Sequence, residues 1–203
     1  MMIDAINRTA RRIPAWSIYA AGALVVLWMF VAATLGLSGP DPVKALERGF
    51  GERGLQVLIA ALCITPLRWA GINLVKFRRA IGLVGFALVA LHFATWITLD
   101  MGLRWSEITA DLLKRPYIII GFVAFLALLP LAVTSNNGAI RRMGAASWKR
   151  LHWLAYPATL AGAVHFVMIG KVYTVESAAY VAAVAGLLAM RWLKSRKPVL
   201  RAA

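Results

Sequence analysis

Six apolar stretches, at about residues 16–37, 54–71, 80–99, 117–134, 152–170 and 176–192, take up most of this 203-residue chain. Each reaches or approaches the roughly 20 residues that a helix needs to cross a bilayer. Only short loops and two short tails remain, and charged residues make up just 15% of the whole. The expected fold is an all-α integral membrane protein, a six-helix transmembrane bundle forming a single domain over residues 1–203. No length is left for a second, soluble domain. The first stretch is too long for a secretory signal and reads as a retained helix. Cys63 is the only cysteine, so no intrachain disulfide can form.

Charge orients the bundle. With the N-terminus in the cytoplasm, 16 of the 23 basic residues fall inside, among them Arg8, Arg68, Arg79, Arg142 and Lys194. The outer side then holds seven basic residues and seven of the eight acids. All loops are short, so the positive-inside rule applies and places both termini in the cytoplasm. The net charge of +15 is thereby a topology signal that also meets anionic headgroups. It is not read as a nucleic-acid footprint, because no nucleic-acid fold accompanies it.

The chain has three histidines, His92, His152 and His165, each inside or at the mouth of an apolar stretch. Lipid satisfies neither the donor nor the acceptor of an imidazole, so such residues are functional candidates. Neutral imidazoles on paired membrane helices commonly hold haem iron. Spans three and five both run outward. His92 lies 13 residues beyond Arg79 and His165 lies 15 beyond Arg150, which puts both about 20 Å from the inner end. At one depth they can ligate one haem between two helices. His152 lies about 20 Å further in, level with Arg78, which shares the face of His92. Arg78 reads as a cytoplasmic anchor, or else as an unusual ligand or carboxylate partner of an inner haem. A spacing of 13 sets His152 and His165 about 140° apart on an ideal helix, and Pro157 between them can rewind it. Gly85 and Gly162 suit either a haem cleft or ordinary close helix packing.

Several runs taken together resemble a known family: Thr65-Pro66-Leu67-Arg68, Arg78-Arg79-Ala80-Ile81-Gly82-Leu83, Leu91-His92, Lys114-Arg115-Pro116-Tyr117-Ile118, and Trp148-Lys149-Arg150-Leu151-His152-Trp153 followed by His165. Over about residues 54–170 they are similar to the haem-binding membrane subunit of the bacterial periplasmic protein-methionine-sulfoxide reductase. That family lies within the ferric-reductase-like transmembrane group. The resemblance implies one or two b-type haems held by His92, His152 and His165, and a flavin mononucleotide (FMN) in some members. It implies residence in the bacterial inner membrane as a multi-pass protein. Electrons come from a cytoplasmic flavin reductase or membrane quinol and pass to a periplasmic molybdopterin-containing subunit, which repairs oxidised methionine in envelope proteins.

The chain by itself is expected to be an electron conduit without activity on sulfoxide. A ferric- or oxygen-reducing haem oxidoreductase is the alternative, although no residues are left for a nicotinamide domain. A non-redox transporter would more often carry acids within its spans. Gly49-Phe50-Gly51-Glu52-Arg53-Gly54 spells a dinucleotide fingerprint but has no βαβ unit around it, and reads as the loop and turn into span two. Asn7-Arg8-Thr9 spells a glycosylation acceptor on the cytoplasmic side. Trp16, Trp69, Trp105, Trp148, Trp153 and Trp192 fall near span ends, as interfacial anchors do. Residues 103–113 are expected to form an amphipathic helix on the outer surface, where a periplasmic partner could dock.

Overall fold

A computed structural model describes residues 1–170 and 174–196 of the chain. Of the basic residues counted for orientation, Lys171, Lys197 and Arg201 lie outside the described residues, as does the side chain of Arg196. All regular structure among the described residues is helical.

The helices are α1 (Met2–Arg12), α2 (Trp16–Thr34), α3 (Pro42–Trp69), α4 (Arg78–Ala94), α5 (Trp105–Lys114), α6 (Pro116–Val133), α7 (Asn137–Met143), α8 (Ala145–Leu151), α9 (Ala155–Ile169) and α10 (Val175–Arg196). Helix α4 is entered through a 3₁₀ turn, Val75–Phe77, and prolonged by a π-helical turn, Thr95–Asp100. Another 3₁₀ turn, His152–Leu154, leads into α9. Four elements are long and apolar enough to cross a membrane: Trp16–Thr34, Pro42–Trp69, Val75–Asp100 and Pro116–Val133. The fifth and sixth expected spans are not among them. α9 is a helix of only 15 residues, and α10 carries Glu176 in its first turn and Arg191 and Lys194 near its end.

Helix α3 departs most from the sequence reading. It begins at Pro42, twelve residues before the expected span, and runs for 28 residues. Asp41 is its N-cap and accepts the Lys44 N–H at 3.0 Å, with Pro42 at the first helical position. The glycine-rich segment 49–54 is therefore helical and not a loop. Its glycines face neighbours: a Cβ on Gly49 would meet Met29, and one on Gly54 would meet Val89. Helix α1, which has no counterpart among the expected spans, is tied to the turn after α3. Asn7 donates to the Gly71 carbonyl and accepts the Asn73 N–H, both at 2.9 Å, and Lys76 donates to the Arg11 and Ile13 carbonyls.

Three apolar clusters make the core, and α3 enters all of them. Leu55 and Leu62 pack with Ala163 of α9 and with Val184 and Leu187 of α10. Leu46 and Phe50 pack with Ala33 of α2 and Leu88 of α4. Leu58 packs with Leu128 and Leu131 of α6 and Ala158 of α9. Large apolar side chains such as Leu24, Leu27, Trp28, Val123 and Leu126 point outward. In water they would form an aggregating surface, and in a bilayer they meet lipid. Of the tryptophans expected as anchors, Trp16, Trp105, Trp153 and Trp192 are more than half exposed. Trp148 instead packs inward: its indole N–H donates to the Thr134 carbonyl at 2.9 Å and its ring stacks on His152.

Helices α3 and α4 approach through reciprocal glycines. A Cβ on Gly54 would come within 3.2 Å of the Val89 backbone nitrogen, and one on Gly85 within 3.3 Å of the Leu58 nitrogen. Of the two readings open for Gly85, helix packing is the one observed. Because backbone cannot step aside, Gly85→Ala and Gly54→Ala should each cost about 1–3 kcal/mol of stability through overpacking. The check is thermal unfolding in detergent, where both variants should melt below the parent.

Candidate functional site

Helices α3, α4, α6 and α9, roofed by α5, enclose a cavity of about 1110 Å³. Leu55, Leu58, Ala158 and Gly162 line it at one side, and Phe93, Phe122 and Phe125 at another. Phe93 stacks on Phe125 with ring centres 4.9 Å apart. Gly162 has only Leu55 near its missing side chain, at 3.8 Å, so it leaves open space. The expected amphipathic helix exists as α5. It turns Ile108, which is buried, and Leu112 toward the cavity, while Leu113 is 85% exposed.

His92 and His165 reach this cavity from opposite helices, with ring centres 6.2 Å apart and planes at 69°. A metal–imidazole bond is about 2 Å long, and a ring nitrogen lies about 1 Å from the ring centre, so two imidazoles flanking one metal have centres about 6 Å apart. Coaxial ligands can hold any angle between their planes. The spacing and the apolar walls therefore fit a planar metallocycle between the two rings.

Backbone carbonyls settle the tautomers. His92 Nδ1 lies 2.7 Å from the Glu47 carbonyl of α3, and His165 Nδ1 lies 2.6 Å from the Tyr117 carbonyl of α6. A carbonyl only accepts, so each Nδ1 carries a proton, and in the neutral form of the ring the lone pair that can bind a metal is on Nε2. Neither acceptor is visible in sequence, since the pairs are 45 and 48 residues apart.

His152 stands apart from this pair and is absent from the cavity lining. Its Nδ1 donates to the Trp148 carbonyl at 3.1 Å, Trp148 covers its ring at 3.8 Å, its Nε2 is buried, and the backbone of Leu131 is a second polar neighbour of the ring. Arg78, the first residue of α4, is near enough to act on it electrostatically. Arg191, read from sequence as a topology charge, is partly buried in the same region. It donates to the Tyr156 hydroxyl at 2.8 Å and to the Leu62 carbonyl at 2.5 Å. Pro157 is the third residue of α9, and the 3₁₀ turn just before it breaks the regular α-helical rotation between His152 and His165.

At the rim of the cavity, Lys44 bridges α3 to the π-helical turn that follows His92, contacting Asp100 at 2.7 Å and Glu47 at 3.1 Å. Arg48 and Arg115 also face the cavity.

These features define a helical membrane protein of the ferric-reductase-like class, and the family profile described as ferric reductase like transmembrane component matches residues 53–163. The protein-methionine-sulfoxide reductase heme-binding subunits MsrQ of Brucella ovis, Brucella canis and Brucella melitensis are each 43% identical over 191 residues. The alignments cover 92% of this chain and 86% of each relative. The chain belongs to this family of heme-binding subunits. No solved structure matches it.

The Lys44–Asp100 contact is part-exposed, so Lys44→Ala should cost no more than about 1 kcal/mol globally. Its effect should be local. Hydrogen exchange in residues 95–103 should speed up, while exchange in the buried part of α3 stays unchanged.

Proposed function

We propose that this chain is the haem-bearing electron-transfer subunit of a methionine sulfoxide reductase system in the bacterial inner membrane. It crosses the membrane six times with both termini in the cytoplasm. The basic asymmetry of the loops supports that orientation. Helix α9 and its preceding 3₁₀ turn together rise about 28 Å, close to the roughly 30 Å of hydrocarbon, which supports counting α9 as a span.

His92 and His165 hold one b-type haem in the cavity, and Arg48 and Arg115 receive its carboxylates. The observation that carries the reading is the pair of rings 6.2 Å apart, each with its Nδ1–H committed to a backbone carbonyl. Bound there, the haem supplies a one-electron couple between ferric and ferrous iron. The chain commits the Nδ1–H of both imidazoles to backbone carbonyls, leaves each Nε2 for iron, and lines the site with aromatic and aliphatic walls. His152, with Arg78 nearby, serves a second, inner haem; its place beside Arg78 and apart from the His92–His165 cavity supports that role. The phosphate of FMN meets Arg141, Arg142 and Lys149 on the inner loop. Electrons enter from a cytoplasmic flavin reductase or membrane quinol. They leave to a periplasmic molybdopterin subunit, which docks over α5 and reduces methionine sulfoxide. That the Brucella relatives are heme-binding subunits of a protein-methionine-sulfoxide reductase supports a role in such a system.

The purified protein should be red, with a reducible low-spin b-type spectrum. His92→Ala and His165→Ala should each abolish the same haem signal, whereas His152→Ala should leave it in place. A colourless protein from haem-replete cells would overturn the reading.

Reporter fusions after Ala203 should be active only when the reporter works in the cytoplasm. A C-terminal fusion active in the periplasm would require an odd number of spans or an inverted bundle.

A further inference from the structure

Each cavity histidine meets the same arrangement on its neighbouring helix. The carbonyl of Glu47 accepts from His92, and the residue four further along α3 is Gly51. The carbonyl of Tyr117 accepts from His165, and the residue four further along α6 is Gly121. Inside a helix such a carbonyl already accepts the N–H four residues on. The imidazole uses the second lone pair, and it approaches over the spot that the side chain at that fourth residue would fill. A Cβ on Gly51 would lie 2.9 Å from His92 Nδ1 and 3.2 Å from its Cε1. A Cβ on Gly121 would lie 2.7 Å from both Nδ1 and Cε1 of His165 and 3.0 Å from its Cγ. Gly82 and Gly186 have nothing within 4 Å, so space alone does not forbid a side chain at every helical glycine of this chain.

We infer that Gly51 and Gly121 are positioning residues for the two axial ligands: their missing side chains let each Nδ1–H reach a helix carbonyl, which holds ring orientation and donor strength toward iron. This rests on the haem reading proposed above. A glycine inside a helix is disfavoured against alanine, and here that is offset by a ligand geometry that alanine would block. A hydrogen bond from Nδ1–H raises the basicity of the ring and favours ferric over ferrous iron. Loss of that bond should therefore raise the midpoint potential.

The test uses the full-length protein in detergent, comparing Gly51→Ala and Gly121→Ala with Gly82→Ala and Gly186→Ala. The last two should match the parent in haem content and potential. The first two should bind haem about 10–100-fold more weakly. Haem they retain should show a raised midpoint potential and altered low-spin resonance values, with Gly121→Ala the more affected because its Cβ would lie 2.7–3.0 Å from three ring atoms, against 2.9–3.3 Å at Gly51. If the parent holds haem and both variants keep its content, potential and resonance values, the inference is overturned while the haem reading stands. A parent without haem overturns the haem reading itself. Should the alanine variants fail to fold, His165→Gly can be loaded with free imidazole or with 1-methylimidazole, which lacks the N–H. Imidazole should restore the parent's potential and 1-methylimidazole should give a higher one; equal potentials overturn the inference.

Discussion

The approach of α3 to α4 is the contact on which the rest of the bundle depends. Gly54 and Gly85 let the two backbones come so close that a single Cβ at either position would press on a main-chain nitrogen. In hydrocarbon no hydrophobic effect drives helices together, so close packing of this kind supplies much of the association. Once α3 and α4 are joined, Phe50, Leu58 and Leu62 of α3 are set to seat α2, α6 and α10. The same contact carries His92 to within reach of the Glu47 carbonyl, so the ligand geometry is a by-product of the helix crossing.

The cavity follows from where small residues are placed and where large ones are not. Gly162 leaves its position open, and the aromatic rings of Phe93, Phe122 and Phe125 stand to one side of the space. Helix α5 closes the outer end with one apolar face inward. The Nδ1–H of each imidazole is met by backbone: it takes a carbonyl already engaged in its own helix, which leaves Nε2 toward the cavity. His152 is treated differently. Its Nδ1 is satisfied four residues back along its own segment, and the backbone of Leu131 is the other polar neighbour of the ring, whose Nε2 is buried.

Hydropathy marked the helices well where lipid surrounds them and poorly where protein does. Spans one, three and four fall within a few residues of α2, α4 with its π turn, and α6. The start of span two was misplaced because Gly49, Gly51 and Gly54 with Glu47, Glu52 and Arg53 look like a loop. In the bundle those glycines are contact points, and Glu47 and Glu52 lie at the cavity. An Asp-Pro pair at positions 41 and 42 was the readable signal for the true start.

The sequence by itself determined that the chain is helical and lies in a membrane, because the apolar runs leave no other way to satisfy the backbone. It also set His92 and His165 at one depth, since the helical rise converts residue number directly into height. Only the tertiary structure decided that these two rings share a cavity while His152 does not. Facing is a matter of rotation and helix crossing, and a π turn, a 3₁₀ turn and a proline alter it locally. Tertiary structure alone also chose the Glu47 and Tyr117 carbonyls as acceptors. Every residue carries such a carbonyl, so the choice is made by packing between segments more than 40 residues apart.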